Sequence, residues 1–522
     1  MAKTIAGTAL VLMMMNTLAR LLGFVRETAM AAVFGAGQYT DAYQVAYTIP
    51  YFLQMVLGVA LVSSIVPVMV RCIDGGRAEE GWKAASITMN LTFLLMAFFT
   101  ALGVLGADFL VGITAPGFNA ETRSLAAVMT AIMFPSVMFM SLAMLITGIL
   151  NACRRFAVAA FAPAFASFII ILGVIFFGSR HPYALPAASL ISFICMLLVQ
   201  LPALKGTGFR YTFSFDYKNS LVKGVFSNLG AVFLGTATYQ IYLAINRFFA
   251  SSLPAGSISA LNYAGKLMNL PLGIFVAAVS SSIFPLLSAQ ALEADRSKLW
   301  ETANRGLKLV LLITLPAAAG LMALGQPIVK LLFERAAFTG EATVMTAQAL
   351  FWFGPGMGAM AATQVLTRAY YALEDTKTPL FFGLSSIAVN IGASILLTPL
   401  MKQGGLALAN SLASLYYAVG MYILLQRRLS GAGYGNILAT LSKVLAGSAV
   451  TAAAASIVYR LAGSLLLAKG SMGLLLTVAM AIAAGVLSFI VVIFLLKENE
   501  LFLFIGQLRK NKGKGSEKGL IK

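Results

Sequence analysis

Charge is scarce in this chain. Asp, Glu, Lys and Arg together make up 11% of the 522 residues, against about 25% in soluble domains. Mean hydropathy is +0.88, and a water-facing surface cannot be built from so few ionic groups. Histidine is rarer still: His181 stands alone beside Pro182, which excludes a Ser/His/Asp catalytic set. Three scattered cysteines, Cys72, Cys153 and Cys195, provide neither a disulfide framework nor, with one histidine, a His/Cys metal site. A G-x-x-x-x-G-K-[ST] loop is missing, and no polar stretch is long enough for a nucleotide-binding domain, so ATP hydrolysis is not expected. The chain therefore reads as a non-enzyme without a cofactor.

What the chain has in abundance is long apolar runs, such as 84–106, 308–333 and 471–496. A helix crosses the hydrocarbon core in about 20 apolar residues, whereas barrel strands alternate over about 10. The runs here do not alternate. They predict an all-α polytopic membrane protein of about fourteen transmembrane helices, from 5–34 and 42–71 through 84–112, 124–152, 225–251, 258–290 and 305–333 to 471–496. The first run has no small-residue cleavage site with a polar exit, so it is expected to stay.

The net charge of +19 would suit nucleic acid, but it gathers in short loops. Breaks after even-numbered helices hold clusters such as Arg154 and Arg155, Lys205 to Lys223, and Arg427 and Arg428, while breaks after odd-numbered ones hold single cations such as Arg180 or Lys402. Positive-inside bias then places both termini in the cytoplasm. The tail from Arg509 and Lys510 to Lys522 agrees, and its basic groups are suited to anionic headgroups.

The chain also repeats. Arg26, Gly35 and Pro50 recur with the same spacing as Arg247, Gly256 and Pro271, and Pro67 to Pro163 is nearly matched by Pro285 to Pro379. Two six-helix lobes follow: 1–215 and 216–430, with two additional helices over 431–500 and a basic tail over 501–522. Six is even, so the lobes enter the membrane in the same sense, as parallel repeats around a central cavity, a transporter architecture.

Within this apolar background the embedded charges stand out, because an ionisable group near the bilayer centre costs roughly 2.5 to 3.5 kcal/mol on insertion scales. Arg20, Arg26, Glu27 and Asp41 fall in the first two helices, Arg247 and Lys266 in the seventh and eighth. Arg20 and Arg26 differ by about 240° in direction and about 9 Å in rise, so only a broad cavity lets both guanidinium groups converge. Arg26 either opens onto that cavity or pairs with Glu27 or Asp41. Asp41 belongs at the start of helix 2, as a cap, a gate or both. Cations from both lobes suit a multiply charged anion, phosphate or pyrophosphate above all, for which arginine forks are matched. The rest of the substrate stays open at this point: a polyprenyl-diphosphate glycan, another exporter cargo, or no cargo at all if the chain is a membrane scaffold.

LARLLGFVRETAMAAVFGAGQYTDAYQVAYTIP, GSISALNYAGKLMNLPLGIF, and ALEDTKTP followed by GGLALANSLAS resemble the MurJ (MviN) lipid II flippase family of the multidrug/oligosaccharidyl-lipid/polysaccharide exporter superfamily. The resemblance implies export of the undecaprenyl-diphosphate-linked peptidoglycan precursor across the bacterial cytoplasmic (inner) membrane. Lipid II and membrane lipids are then the partners, with cell-wall synthesis proteins as further candidates and nucleic acid excluded. It also implies that Arg20, Arg26 and Lys266, with Ser259, hold the substrate and that Asp41 is the helix 2 acid; the embedded charges add Arg247 to the expected substrate-binding set and Glu27 beside Asp41 as gating or ion-pair carboxylates. Membrane potential or a monovalent cation would drive transport. Two positions depart from the pattern: Tyr51 to Gln54 contain no cation, and Asn246 replaces an acid that some relatives place before the helix 7 arginine.

Overall fold

The computed structural model describes residues 2–497 apart from 179, 228, 294–295, 430–434, 467 and 469. Lys469 and the basic tail from Arg509 to Lys522 lie outside the described residues. Among those residues the chain is helical, in fourteen membrane-length segments: α1 (Ala2–Phe34), α2 (Gln38–Asp74), α3 (Ala78–Leu105), α4 (Ala120–Ala152), α5 (Phe156–Phe177), α6 (Ala184–Thr207), α7 (Leu229–Ala250), α8 (Ser257–Gln290), α9 (Ser297–Phe333), α10 (Gly340–Ala372), α11 (Lys377–Met401), α12 (Gln403–Leu429), α13 (Gly435–Leu466) and α14 (Gly470–Leu495). Eleven of these are long and apolar enough to cross a membrane on length and composition alone; α1, α7 and α10 coincide with the remaining expected spans.

The largest differences in where helices start are in α3 and α9. Helices α3 and α9 begin at Ala78 and Ser297 rather than 84 and 305, because a helix continues past the apolar layer wherever its ends are favourable. Glu79 and Glu80 complement the N-terminal dipole of α3, and Glu301 pairs with Arg305 one turn on in α9, at 2.8 Å. The third run is also broken at Gly106, after which a short helix Ala107–Thr114 carries Asp108 to Arg123, 2.6 Å away. The fourth is interrupted at Phe134 and Pro135, where the proline lacks the N–H a continuous helix needs.

The helices gather into two compact units, Met1–Ser259 with Phe333–Ala342, and Ala260–Leu332 with the chain from Thr343 onward. In the first, α2 packs against α4 and α7, and α1 against α5. Its core runs through Leu61, Ile65, Met69, Leu145, Ile149 and Trp82, all nearly inaccessible. The corner after α9 also belongs here: the Ala337 N–H donates to the Ala32 carbonyl at 3.0 Å, and Phe333 lies 6.2 Å from Phe24.

In the second unit α11 packs on α12 and α13 on α14. Small residues let the last pair approach closely, with Gly485 against Thr451 and Ala455. Leu312, Val444, Phe489 and Ile493 tie α9 to both. Leu400, Leu465 and Leu495 remain more than two-thirds exposed, as side chains facing lipid should be.

Candidate functional site

Arg26 lies near the end of α1, part-buried, with its Nη2 2.8 Å from Oε1 of the buried Glu27. Of the two pairings open to it in the sequence, the structure has the one with Glu27. Neighbours on one helix normally point apart, but a long guanidinium can fold back when the alternative is a cation without a counter-charge in an apolar layer. On α2, Tyr43, Tyr47 and Tyr51 form a ladder at four-residue spacing, with ring centroids 6.1 and 5.1 Å apart, and Tyr43 and Tyr47 lie within electrostatic reach of Arg26. The four-residue spacing of the tyrosines is visible in the sequence, but nothing there places them beside Arg26. Arg20, farther up α1, is exposed, and the two arginines do not share a narrow face.

Asp41 lies in the first turn of α2, as expected, but it does not cap that helix. The N-cap position, Gly37, receives no side-chain bond. The carboxylate reaches instead to the start of α8: its Oδ2 accepts from the Gly256 N–H at 2.6 Å, and its Oδ1 from the Ser259 N–H at 2.8 Å and the Ser259 hydroxyl at 2.5 Å. Those amides are the donors that the first turn of a helix leaves unsatisfied. Arg247 donates to the Ile258 carbonyl at 3.3 Å and is an electrostatic partner of Asp41. Asp41, Gly256, Ser259 and Arg247 thus form one clasp between α2 and the α7–α8 corner.

Two expected substrate-binding residues take part in the clasp. Ser259 is fully buried and donates its hydroxyl to Asp41. Arg247 holds the corner's backbone, which makes positioning its visible role here. Glu27 and Asp41 also differ in partner: Glu27 pairs with Arg26, and Asp41 accepts from the first turn of α8.

Glycine shapes both corners. Gly35, at φ +68°, ends α1, and a Cβ there would come 2.3 Å from the Ala337 carbonyl oxygen; Gly256, at φ +91°, leaves 2.7 Å to the Ala36 carbonyl oxygen. A side chain at either position meets both the left-handed penalty and a backbone collision.

Beyond the clasp α8 continues into the second unit and carries Lys266, part-buried. After Pro271 the helix widens into a π turn over Leu272–Val276, a local adjustment that can re-satisfy backbone groups freed by a proline in a membrane helix. The equivalent Pro50 lies in uninterrupted α-helix.

The sequence profile of the family described as "Lipid II flippase MurJ" matches residues 30–481. A curated relative from Rhizobium tropici, a "Probable lipid II flippase MurJ", is 31% identical over 94% of this chain and 93% of its own length. "Lipid II flippase MurJ" of Burkholderia cenocepacia is 29% identical over 79% and 82%. A solved "Lipid II flippase MurJ, inward closed conformation" superposes with a TM-score of 0.76 at 23% identity, over 92% of this chain and 98% of that one. A multidrug resistance MATE family transporter of the MOP superfamily gives 0.67 at 15% identity, over 81% and 98%; at these identities the likeness concerns the fold. With the profile covering most of its length and relatives aligned nearly end to end, this chain belongs to the lipid II flippase MurJ family.

Proposed function

We propose that this chain moves lipid II, the polyprenyl-diphosphate-linked peptidoglycan precursor, from the inner to the outer leaflet of the bacterial cytoplasmic membrane, where it is a multi-pass protein with both termini in the cytoplasm. The observation that carries the residue assignment is the Arg26–Glu27 pair. A carboxylate on the arginine is what an anion site needs between cycles: when diphosphate arrives it takes the place of Glu27, and when it leaves Glu27 returns, so a cation in the apolar layer is never left without an anion. Arg20 and Lys266 add positive charge, Lys266 as a point charge in place of a fork.

The Asp41 clasp fixes the first turn of α8, the helix that carries Lys266. By the loop charges it lies at the outer side, where it acts as a gate contact that must open for release outside. An inside-negative potential favours outward movement of an anion by about 2.3 kcal/mol per charge per 100 mV, and we take this as the driving force, with a monovalent cation as the other candidate. The chain transports without catalysing a covalent step.

Reconstitution tests the reading. Purified protein in liposomes with labelled lipid II in the inner leaflet should expose the headgroup to an impermeant enzyme outside, and Arg26→Ala should reduce exposure to that of empty liposomes. Equal exposure with and without the native chain refutes lipid II as cargo.

A further inference from the structure

A cavity of about 320 Å³ lies wholly within the second unit, between α8 and α10, at the small end of ligand sites, which run about 300 to 1,000 Å³. Its lining follows helical spacing on both sides. Ala277, Ser280 and Ser281 form one face of α8 just beyond the π turn, and Gln364, Thr367, Arg368 and Tyr371 form one face of α10. The α10 face lies in that helix's last turns and the α8 face in its C-terminal half, toward the side the loop charges assign to the cytoplasm.

The chemistry of this lining is one-sided. Hydroxyls, an amide and a guanidinium converge, and no carboxylate lines the cavity. Arg368 is set over the ring of Phe284, 5.3 Å from its centroid. A guanidinium on a ring face keeps its in-plane N–H groups for acceptors. Among the described residues no carboxylate pairs with Arg368. Ser280 is 3% exposed and its hydroxyl has no hydrogen-bond partner. A helical serine ordinarily returns its hydroxyl to the preceding turn, as Ser282 does here to the Ala278 carbonyl at 2.8 Å. A buried hydroxyl left open beside an arginine without a carboxylate is half of an oxyanion site.

We propose that this cavity binds a phosphate-class oxyanion, with Arg368 as the charged fork, Ser280 as the buried donor, and Gln364 and Tyr371 at the rim. Arg26 belongs to the other unit. The shared chemistry fits a phosphate free in the cytoplasm or one carried by a lipid headgroup.

The test counts sites on the full-length protein in detergent. Binding of radiolabelled pyrophosphate is measured for the native chain, Arg26→Gln, Arg368→Gln and the double variant, and retention of dioleoyl phosphatidic acid against dioleoyl phosphatidylcholine is followed by native mass spectrometry. Loss of one pyrophosphate equivalent in Arg368→Gln, additive with Arg26→Gln, supports the site and a soluble source. Loss only of the preference for phosphatidic acid supports it with a lipid source. Ser280→Ala, a small change that leaves the fold intact, should weaken whichever ligand binds by a factor on the order of ten. Native-like binding of both ligands in Arg368→Gln and Ser280→Ala overturns the proposal.

Discussion

The α1–α2 corner and the α7–α8 corner occupy the same place in the two sequence repeats, and they have been divided between two tasks. Each ends its first helix near an arginine and turns through a left-handed glycine, Gly35 or Gly256. The acids, however, are all in the first copy: Phe248 follows Arg247 where Glu27 follows Arg26, and Asn262 stands at the distance from Gly256 that Asp41 keeps from Gly35. One carboxylate of the first copy stays with its own arginine, and the other crosses to cap the second copy's helix. The repeated corner thus carries an arginine–carboxylate pair in its first copy and, in its second, a helix start held by the first copy's acid.

The largest effect should come from separating the Arg26–Glu27 pair. Arg26→Ala leaves a buried carboxylate without its partner, a loss on the order of 3 to 5 kcal/mol, visible as a lower thermal midpoint in detergent, together with loss of flipping. Adding Glu27→Gln should restore the midpoint but not transport. If the double variant transports, Arg26 is structural only.

Next is the clasp. Asp41→Ala removes the acceptor of three hydrogen bonds and should lower stability by roughly 2 to 4 kcal/mol, whereas Ser259→Ala, which leaves both amides capped, should cost about 1 kcal/mol. Equal costs for the two would mean that the backbone amides contribute little.

The glycines rank below these. Gly35→Ala and Gly256→Ala should each lose roughly 1 to 2 kcal/mol from the left-handed conformation. Gly35 should lose more, since its new methyl would meet the Ala337 carbonyl at 2.3 Å rather than the Ala36 carbonyl at 2.7 Å. The reverse order would show that the α7–α8 corner is the stiffer.

The smallest effect is expected for a cap that stays local. Asp375, in the loop before α11, accepts from the Thr378 N–H at 2.9 Å and hydroxyl at 2.7 Å, and pairs with Arg428. Burial alone would raise its carboxyl, but the bonds from Thr378 and Arg428 outweigh burial and hold it below the usual carboxylate range. A lowered value stabilises the folded state above the unfolded pKa of about 4 and ceases to do so as acid titrates the folded group. Asp375→Ala should therefore cost about 1 kcal/mol near neutrality, and the gap to the native chain should close as the pH falls below 4. A gap that persists in acid would assign the loss to packing.

The helices were legible because apolar length is a local property, and the repeat because Arg, Gly and Pro recur in register. The charged ends of α3 and α9 were not, since a reading by hydropathy stops at the lipid boundary while the helix does not. The embedded cations announced themselves by cost. The partner of Asp41 could not, because Gly256 and Ser259 lie more than two hundred residues away and the contact needs the α7–α8 corner folded against α2. Arg368 was passed over for the opposite reason: near a helix end it looks like any cytoplasmic-side cation until Ser280 and Phe284 are placed beside it.

The central claim is that Arg26 holds the cargo's diphosphate and Glu27 holds its place between cycles. The most direct measurement is the outer-face accessibility of lipid II in cells whose other flippases are depleted, comparing the native chain with Arg26→Ala at equal abundance in the membrane, with the potential intact and collapsed. The account predicts exposure by the native chain, none by the variant, and a decline when the potential collapses. Exposure by Arg26→Ala at the native level would contradict it.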